Sequence, residues 1–216
     1  MWLEKHHSDR ISLMNEQALI RDAQNGSLDA FNTLILHYQD SVFNTALRIL
    51  ADDDLAADVT QEAFISAFKS ITSFRGGSFK AWLMRTVTNA CYDELRRQKR
   101  KPTVPLEPDT DDGDEMDSPR WLADPGMTPD QKAEADELEH AIQHCLNNLP
   151  LEFKTVVIMA DIQGMDYIEV ATSIHVPLGT IKSRLARARL RLRECLQGFT
   201  ELLPSSVRLE EGNVTI

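Results

Sequence analysis

Long apolar runs are missing from this chain of 216 residues. None approaches the roughly 20 residues needed to cross a bilayer, so membrane insertion is not expected. The opening MWLEKHHSDR lacks an apolar core and a cleavage site, so it does not read as a secretory signal and cytoplasmic residence is expected. Cysteine is scarce. Cys91, Cys145 and Cys195 are odd in number and far apart, which argues against a disulfide framework and reads Cys91 and Cys195 as core thiols. Strand-like alternation of useful length is absent, as are internal repeats. Walker, GxSxG and HExxH signatures are absent too, so no enzyme chemistry and no cofactor is expected. His140, His144 and Cys145 stand at helical spacing, but no fourth ligand is evident and no metal site is assigned.

What is present is charge, unevenly placed. Residues 104–139 hold 13 acidic side chains against two cations, Arg120 and Lys132, a net −11 equal to that of the whole chain. Everything outside that stretch sums to zero, so the acidic total is no argument against nucleic-acid binding elsewhere. Residues 102–130 also carry six prolines and the run DTDDGDEMD. Such a segment cannot bury enough apolar surface to order itself and reads as a flexible acidic linker.

Helical periodicity flanks the linker on both sides. Asn15 can cap a helix through Asn25 that Gly26 stops, and Ser27 can cap a second with Phe31, Leu34, Ile35, Tyr38 and Val42 on one face. A third helix covers about 54–69, and a fourth runs from Phe79 to before Pro102. Beyond the linker the pattern gives helices at about 131–148, 151–162, 166–174 and 178–196, with Pro150 and Pro177 at helix starts. Asp166 followed by Glu169 is a capping box, and residues after Gly198 read as a loose tail.

The most informative stretch is LGTIKSRLARARLRLRE (178–194), behind DYIEVATSIHVP. Ile181, Leu185, Ala188 and Leu192 make one apolar stripe. Lys182, Arg184, Arg187, Arg189, Arg191 and Arg193 fill the remaining circumference. With the short connection His175-Val176-Pro177 this is a helix-turn-helix, whose second helix enters the major groove by its N-terminal part. Thr180, Lys182, Ser183, Arg184 and Arg187 are therefore placed to reach DNA. Arg189, Arg191 and Arg193 fall further along, toward the DNA backbone or solvent.

Two features mark the N-terminal half. Asp58, Gln61, Glu62 and Ile65 share one face of the third helix, a compact polar patch suited to a partner. On the fourth, Leu83, Val87, Cys91 and Leu95 form the packed side, while Arg85, Asn89, Tyr92, Arg96 and Arg100 form a face suited to a nucleic-acid strand. The loop before it holds Phe74, Arg75, Gly76, Gly77, Ser78 and Phe79, where glycine lets backbone approach a ligand.

The segments DVTQEAF (58–64), FRGGSFKAWL (74–83), NACYDELRRQKR (89–100) and LPLEFKTVVIMADIQGMDYIEVATSIHVPLGTIKSRLARARLRLRE (149–194) stand in an order that resembles the extracytoplasmic-function (group 4) sigma factors of the sigma-70 family. The resemblance covers roughly 16–197. It implies an all-α protein of two small helical domains, sigma-2 at 16–101 and a helix-turn-helix sigma-4 at 131–197. Residues 1–15 are an extension, 102–130 the linker and 198–216 a tail. It implies an alternative sigma factor of the bacterial cytoplasm, not an enzyme. Such a factor binds core RNA polymerase through the β′ clamp helices and β flap, recognises promoter DNA, and opens it.

By the same resemblance Asp58, Gln61, Glu62 and Ile65 dock on the polymerase. Phe74, Arg75, Gly76, Gly77, Ser78, Asn89, Asp93 and Arg96 meet the −10 strand. Thr180, Lys182, Ser183, Arg184 and Arg187 read the −35 element. The linker resembles segments that thread toward the polymerase active-site cleft and RNA exit channel. An anti-sigma protein is the expected inhibitor. A dimeric helix-turn-helix regulator would need a dimer interface and a sensor pocket, and it gives the FRGGSF loop no purpose.

Overall fold

The computed structural model describes residues 13–100 and 128–202, all helices and connections, with no strand among them. Most of the acidic linker, of the N-terminal extension and of the C-terminal tail lies outside the described residues.

Four helices build the N-terminal unit: α1 (Leu13–Gln24), α2 (Leu28–Leu50), α3 (Asp53–Ser70) and α4 (Phe79–Arg100). Asn15 lies inside α1 rather than capping it, because the helix begins two residues earlier. The Ser27 hydroxyl accepts the Ala30 N–H at 3.2 Å and starts α2. Asp52 starts α3 by accepting the Leu55 N–H at 2.8 Å, and Ser78 starts α4 by accepting that of Ala81 at 3.1 Å. Each side chain satisfies a donor that the first turn leaves unpaired. Leu34, Val42, Leu83, Met84, Val87 and Cys91 are fully buried where these helices meet.

The C-terminal unit comprises α5 (Pro129–Asn147), α6 (Leu151–Val157), α7 (Tyr167–Ile174) and α8 (Leu178–Leu196). α6 continues into a π-turn, Ile158–Ile162, closed by the Gln163 N–H on the Ile158 carbonyl at 2.9 Å. The Asp166–Glu169 capping box forms as the spacing predicts. Pro177 is the N-cap of α8, one position ahead of its expected place in the first turn. The apolar stripe of α8 packs inward at Ile181, Leu185 and Ala188.

Two expectations are corrected here. Cys195 is no free core thiol: it is disulfide-bonded to Cys145, across a Cα–Cα distance of 5.7 Å. Only the packing of α5 on the end of α8 brings the two together, which their separation in sequence does not reveal. Second, the chain after Gly198 does not loosen at once. Two short 3₁₀ turns fill Gln197–Leu202 with a kink at Phe199, whose ring packs edge-on against His144, with centroids 5.9 Å apart.

The two units share one apolar cluster that passes from the α1–α4 bundle into α6 and α8. Polar contacts stitch the seam. Arg48 of α2 pairs with Glu139 of α5 at 2.5 Å, and the Gln143 amide donates to the Arg48 carbonyl at 3.3 Å. The buried Lys154 ammonium donates to the Ile49 carbonyl at 3.3 Å and to Asn147 Oδ1 at 2.8 Å. Ile49 is at the C-terminal end of α2, where a cation meets the negative end of the helix dipole.

Candidate nucleic-acid and partner interfaces

Three surfaces carry the sequence-predicted residues. The first is the exposed face of α8. Lys182, Ser183 and Arg187 are exposed there, and Thr180 is half-buried at its start. Neither Lys182 nor Arg187 has an ion-pair partner among the described residues. Arg184 is half-buried, and its guanidinium donates to Glu152 at 3.2 Å. Arg189, expected at the DNA backbone or in solvent, instead donates through two nitrogens to the Asp161 carboxylate, at 2.9 and 2.5 Å. It pins α8 to the π-turn, a planar fork meeting a planar carboxylate. Arg191 stacks over the Phe153 ring at 5.1 Å. The cations of α8 thus divide into anchors and free groups, a division that spacing alone does not give.

The second surface is on α3. Asp58, Gln61, Glu62 and Ile65 are all exposed, as their spacing predicts. Beside them lies a feature the sequence reading missed: an apolar groove of about 750 Å³ between α2 and α3. Its walls include Phe31, Ile35, Phe43, Phe64, Ile65 and Phe68. The signal was present in α2, where Leu28 extends the apolar face of Phe31 and Ile35, and it stays 59% exposed at the groove. A hydrophobic strip of this kind edged by polar side chains such as Asn32, Gln39, Asp40, Gln61 and Lys69 is the form of a protein-binding surface.

The third surface is the loop before α4. Gly76 and Gly77 have φ of 101° and 90°, the left-handed region that glycine enters without strain. Arg75 and Ser78 are exposed at the tip. Phe74 is half-buried, its ring 5.5 Å from that of Phe79 and 5.6 Å from that of Trp82, so the loop stands on an aromatic base. The Gln24 amide donates to the Ile71 and Phe74 carbonyls at 3.1 and 2.9 Å and fixes the loop's entry. Asn89 is exposed on α4, while Asp93 and Arg96 pair with each other at 2.9 Å.

Tyr92 departs from its expected role as a base-stacking ring. Its hydroxyl bonds Thr155 of α6 at 2.7 Å, and burial raises its pKa. The seam reaches the loop as well: Ser173 of α7 donates to the Ala81 carbonyl at 3.1 Å, and Lys80 donates to the Gln163 carbonyl. Burial lowers the Lys80 pKa, and Glu169 of α7 opposes that shift. Ile168, Glu169 and Thr172 share one cavity with residues 73–78 of the loop. In this arrangement the C-terminal unit stands beside the loop that precedes α4 and covers part of it.

A helix-turn-helix with free cations, joined to a second helical bundle with its own glycine loop, defines a DNA-binding protein of two helical units. Residues 34–101 match the family model of sigma-70 region 2, and residues 139–192 match that of sigma-70 region 4. The chain is 34% identical over 189 residues to the ECF RNA polymerase sigma-E factor of Haemophilus influenzae, covering 85% of this chain and 96% of that one. It is 32% identical over 187 residues to the RNA polymerase sigma-H factor of Pseudomonas aeruginosa, covering 84% and 94%. The solved sigma factor RpoE of Bartonella quintana, in complex with the anti-sigma factor NepR, superposes with a TM-score of 0.61 at 25% identity, covering 79% of this chain and 98% of that one. The chain belongs to the extracytoplasmic-function sigma factors, DNA-binding transcription initiation factors that associate with RNA polymerase. No described helix is long and apolar enough to cross a membrane.

Proposed function

We propose that this chain binds core RNA polymerase in the bacterial cytoplasm, recognises −35 and −10 promoter elements, and promotes opening of the duplex. It acts by binding and positioning, not as an enzyme. The observation that carries the reading is the coexistence on one chain of three exposed surfaces. These are the free cations of α8, the apolar groove of α2 and α3, and the glycine loop on its aromatic base.

Asp58, Gln61 and Glu62 supply the charged part of the polymerase contact, and Ile65 with the groove supplies the apolar part. Lys182, Ser183 and Arg187 read the −35 duplex directly. Arg184 joins them when it leaves Glu152, and Thr180 meets the DNA backbone at the start of the helix. Phe74 to Ser78, with Asn89, Asp93 and Arg96, receive the −10 strand. Because α7 stands over that loop, the two units separate before both elements are engaged. An anti-sigma protein is the expected partner that restrains it, in line with the complex of RpoE of Bartonella quintana with the anti-sigma factor NepR. Run-off transcription on genomic fragments, with and without the chain added to core enzyme, tests the reading.

A further inference from the structure

The disulfide occupies a telling position. It closes a loop that contains α6, the π-turn, α7 and nearly all of α8, which is the entire helix-turn-helix. The fully buried contacts of α8 stop at Ala188; beyond it Arg189 holds Asp161, Arg191 lies over the Phe153 ring and Leu192 packs against the core, after which the bond to α5 is the next tie. Arg191 and Arg193 stand on these last turns, and Cys195 bolts them to α5. The two sulfurs are unequal: Cys145 is 1% exposed, whereas Cys195 is half-buried. The third thiol takes no part, since Cys91 is enclosed in the N-terminal unit and burial pushes its pKa up to about 12. Bonds of this kind inside bacterial cells are usually transient or redox-sensing rather than permanent.

We propose that Cys145–Cys195 is a redox-modification site, opened by a dithiol reductant at the Cys195 sulfur, and that its state sets the order of the C-terminal turn of the recognition helix. The attacking thiolate bonds to Cys195 Sγ. The Cys145–Cys195 bond breaks, and its electron pair leaves with Cys145 Sγ, which takes up a proton. The reductant's second thiol then displaces Cys195 from the mixed disulfide. In sum two electrons and two protons pass to the cysteines, and the dithiol becomes a disulfide. Opening the bond frees the unfolded chain from its loop constraint and lets the last turn of α8, beyond Leu192, fray. The consequence for promoter binding rests on the function proposed above; the consequence for α8 does not.

The test uses the full chain, oxidised in air or treated with dithiothreitol. Alkylation of the oxidised, unfolded chain is expected to label Cys91 alone. A monothiol is expected to be trapped on Cys195 and not on Cys145, read by peptide mass. Amide exchange after Leu192 is expected to quicken about tenfold on reduction, with α2 to α4 unchanged. The double variant Cys145→Ser/Cys195→Ser is expected to match the reduced chain in either buffer. Free Cys145 and Cys195 in the oxidised chain, an adduct on Cys145, or exchange in α8 indifferent to reductant would each overturn the proposal. In run-off assays, reductant is expected to lower chain-dependent transcript several-fold for the wild type and not for the double variant. Absence of transcript from every form would refute the promoter reading while the exchange result still decided the redox site.

Discussion

Arg48 offers a direct way to open the seam between the two units. Its guanidinium pairs with Glu139 at 2.5 Å, with the side chains 16% and 27% exposed. It also donates to Gln143 Oε1 at 3.4 Å. A charge-assisted contact at this depth contributes about 1–2 kcal/mol, less than a fully buried pair because water reaches both groups. Arg48→Ala removes that amount from the closed form alone and raises the open population about 5- to 30-fold. Arg48→Glu goes further, since it sets two carboxylates against each other at a cost of several kcal/mol. Adding Glu139→Arg restores an attractive pair with its sign reversed. The assay is amide hydrogen exchange in the full chain. Faster exchange is expected in α7 and the first turns of α4, with the interior of α2 and α3 unchanged and Lys69→Ala, remote from the seam, without effect. Apparent affinity for a single-stranded oligonucleotide is expected to rise with the open population, because the closed form covers the loop. Unchanged exchange in Arg48→Glu, or failure of Glu139→Arg to rescue it, would refute the reasoning.

Reversing Asp58 and Glu62 to Lys is expected to abolish co-purification with core polymerase while circular dichroism stays normal; retained binding would remove these residues from the interface. Arg187→Ala is expected to weaken −35 binding by about 1–3 kcal/mol and relax preference at one base pair. Arg193→Ala is expected to change affinity little and uniformly, and the opposite pattern in a binding-site selection would reverse the orientation of α8. Cys91 gives a pH signature, because burial keeps its thiol protonated to about 12 in the folded chain. The unfolded thiol ionises near 8.5, so between these limits the folded chain holds one more proton and stability falls as pH rises. Denaturant titrations of Cys91→Ala are expected to show a shallower alkaline decline than the wild type, and an identical decline would count against the burial argument.

Much of this was legible because local chemistry and tertiary packing agree. Ser27, and Asp166 with Glu169, announce helix starts, and the α8 stripe from Ile181 to Ala188 fixes which side faces inward. Spacing also put Asp58, Gln61, Glu62 and Ile65 on one exposed face of α3. What spacing does not carry is which residue of another helix stands opposite. The bonds from Arg189 to Asp161 and from Tyr92 to Thr155 depend on how elements far apart in sequence pack. So does the Cys145–Cys195 bond, and so does the groove, whose walls come from two helices. Asn15 shows a local limit: a good capping residue is overridden when the helix continues through it.

The central claim is that this chain directs core polymerase to promoters. Run-off transcription from a library of genomic fragments, with core enzyme alone and with the chain added, tests it most directly. Discrete starts are predicted only when the chain is present, and they are lost with Asp58→Lys/Glu62→Lys. Identical transcript patterns with and without the chain would contradict the account.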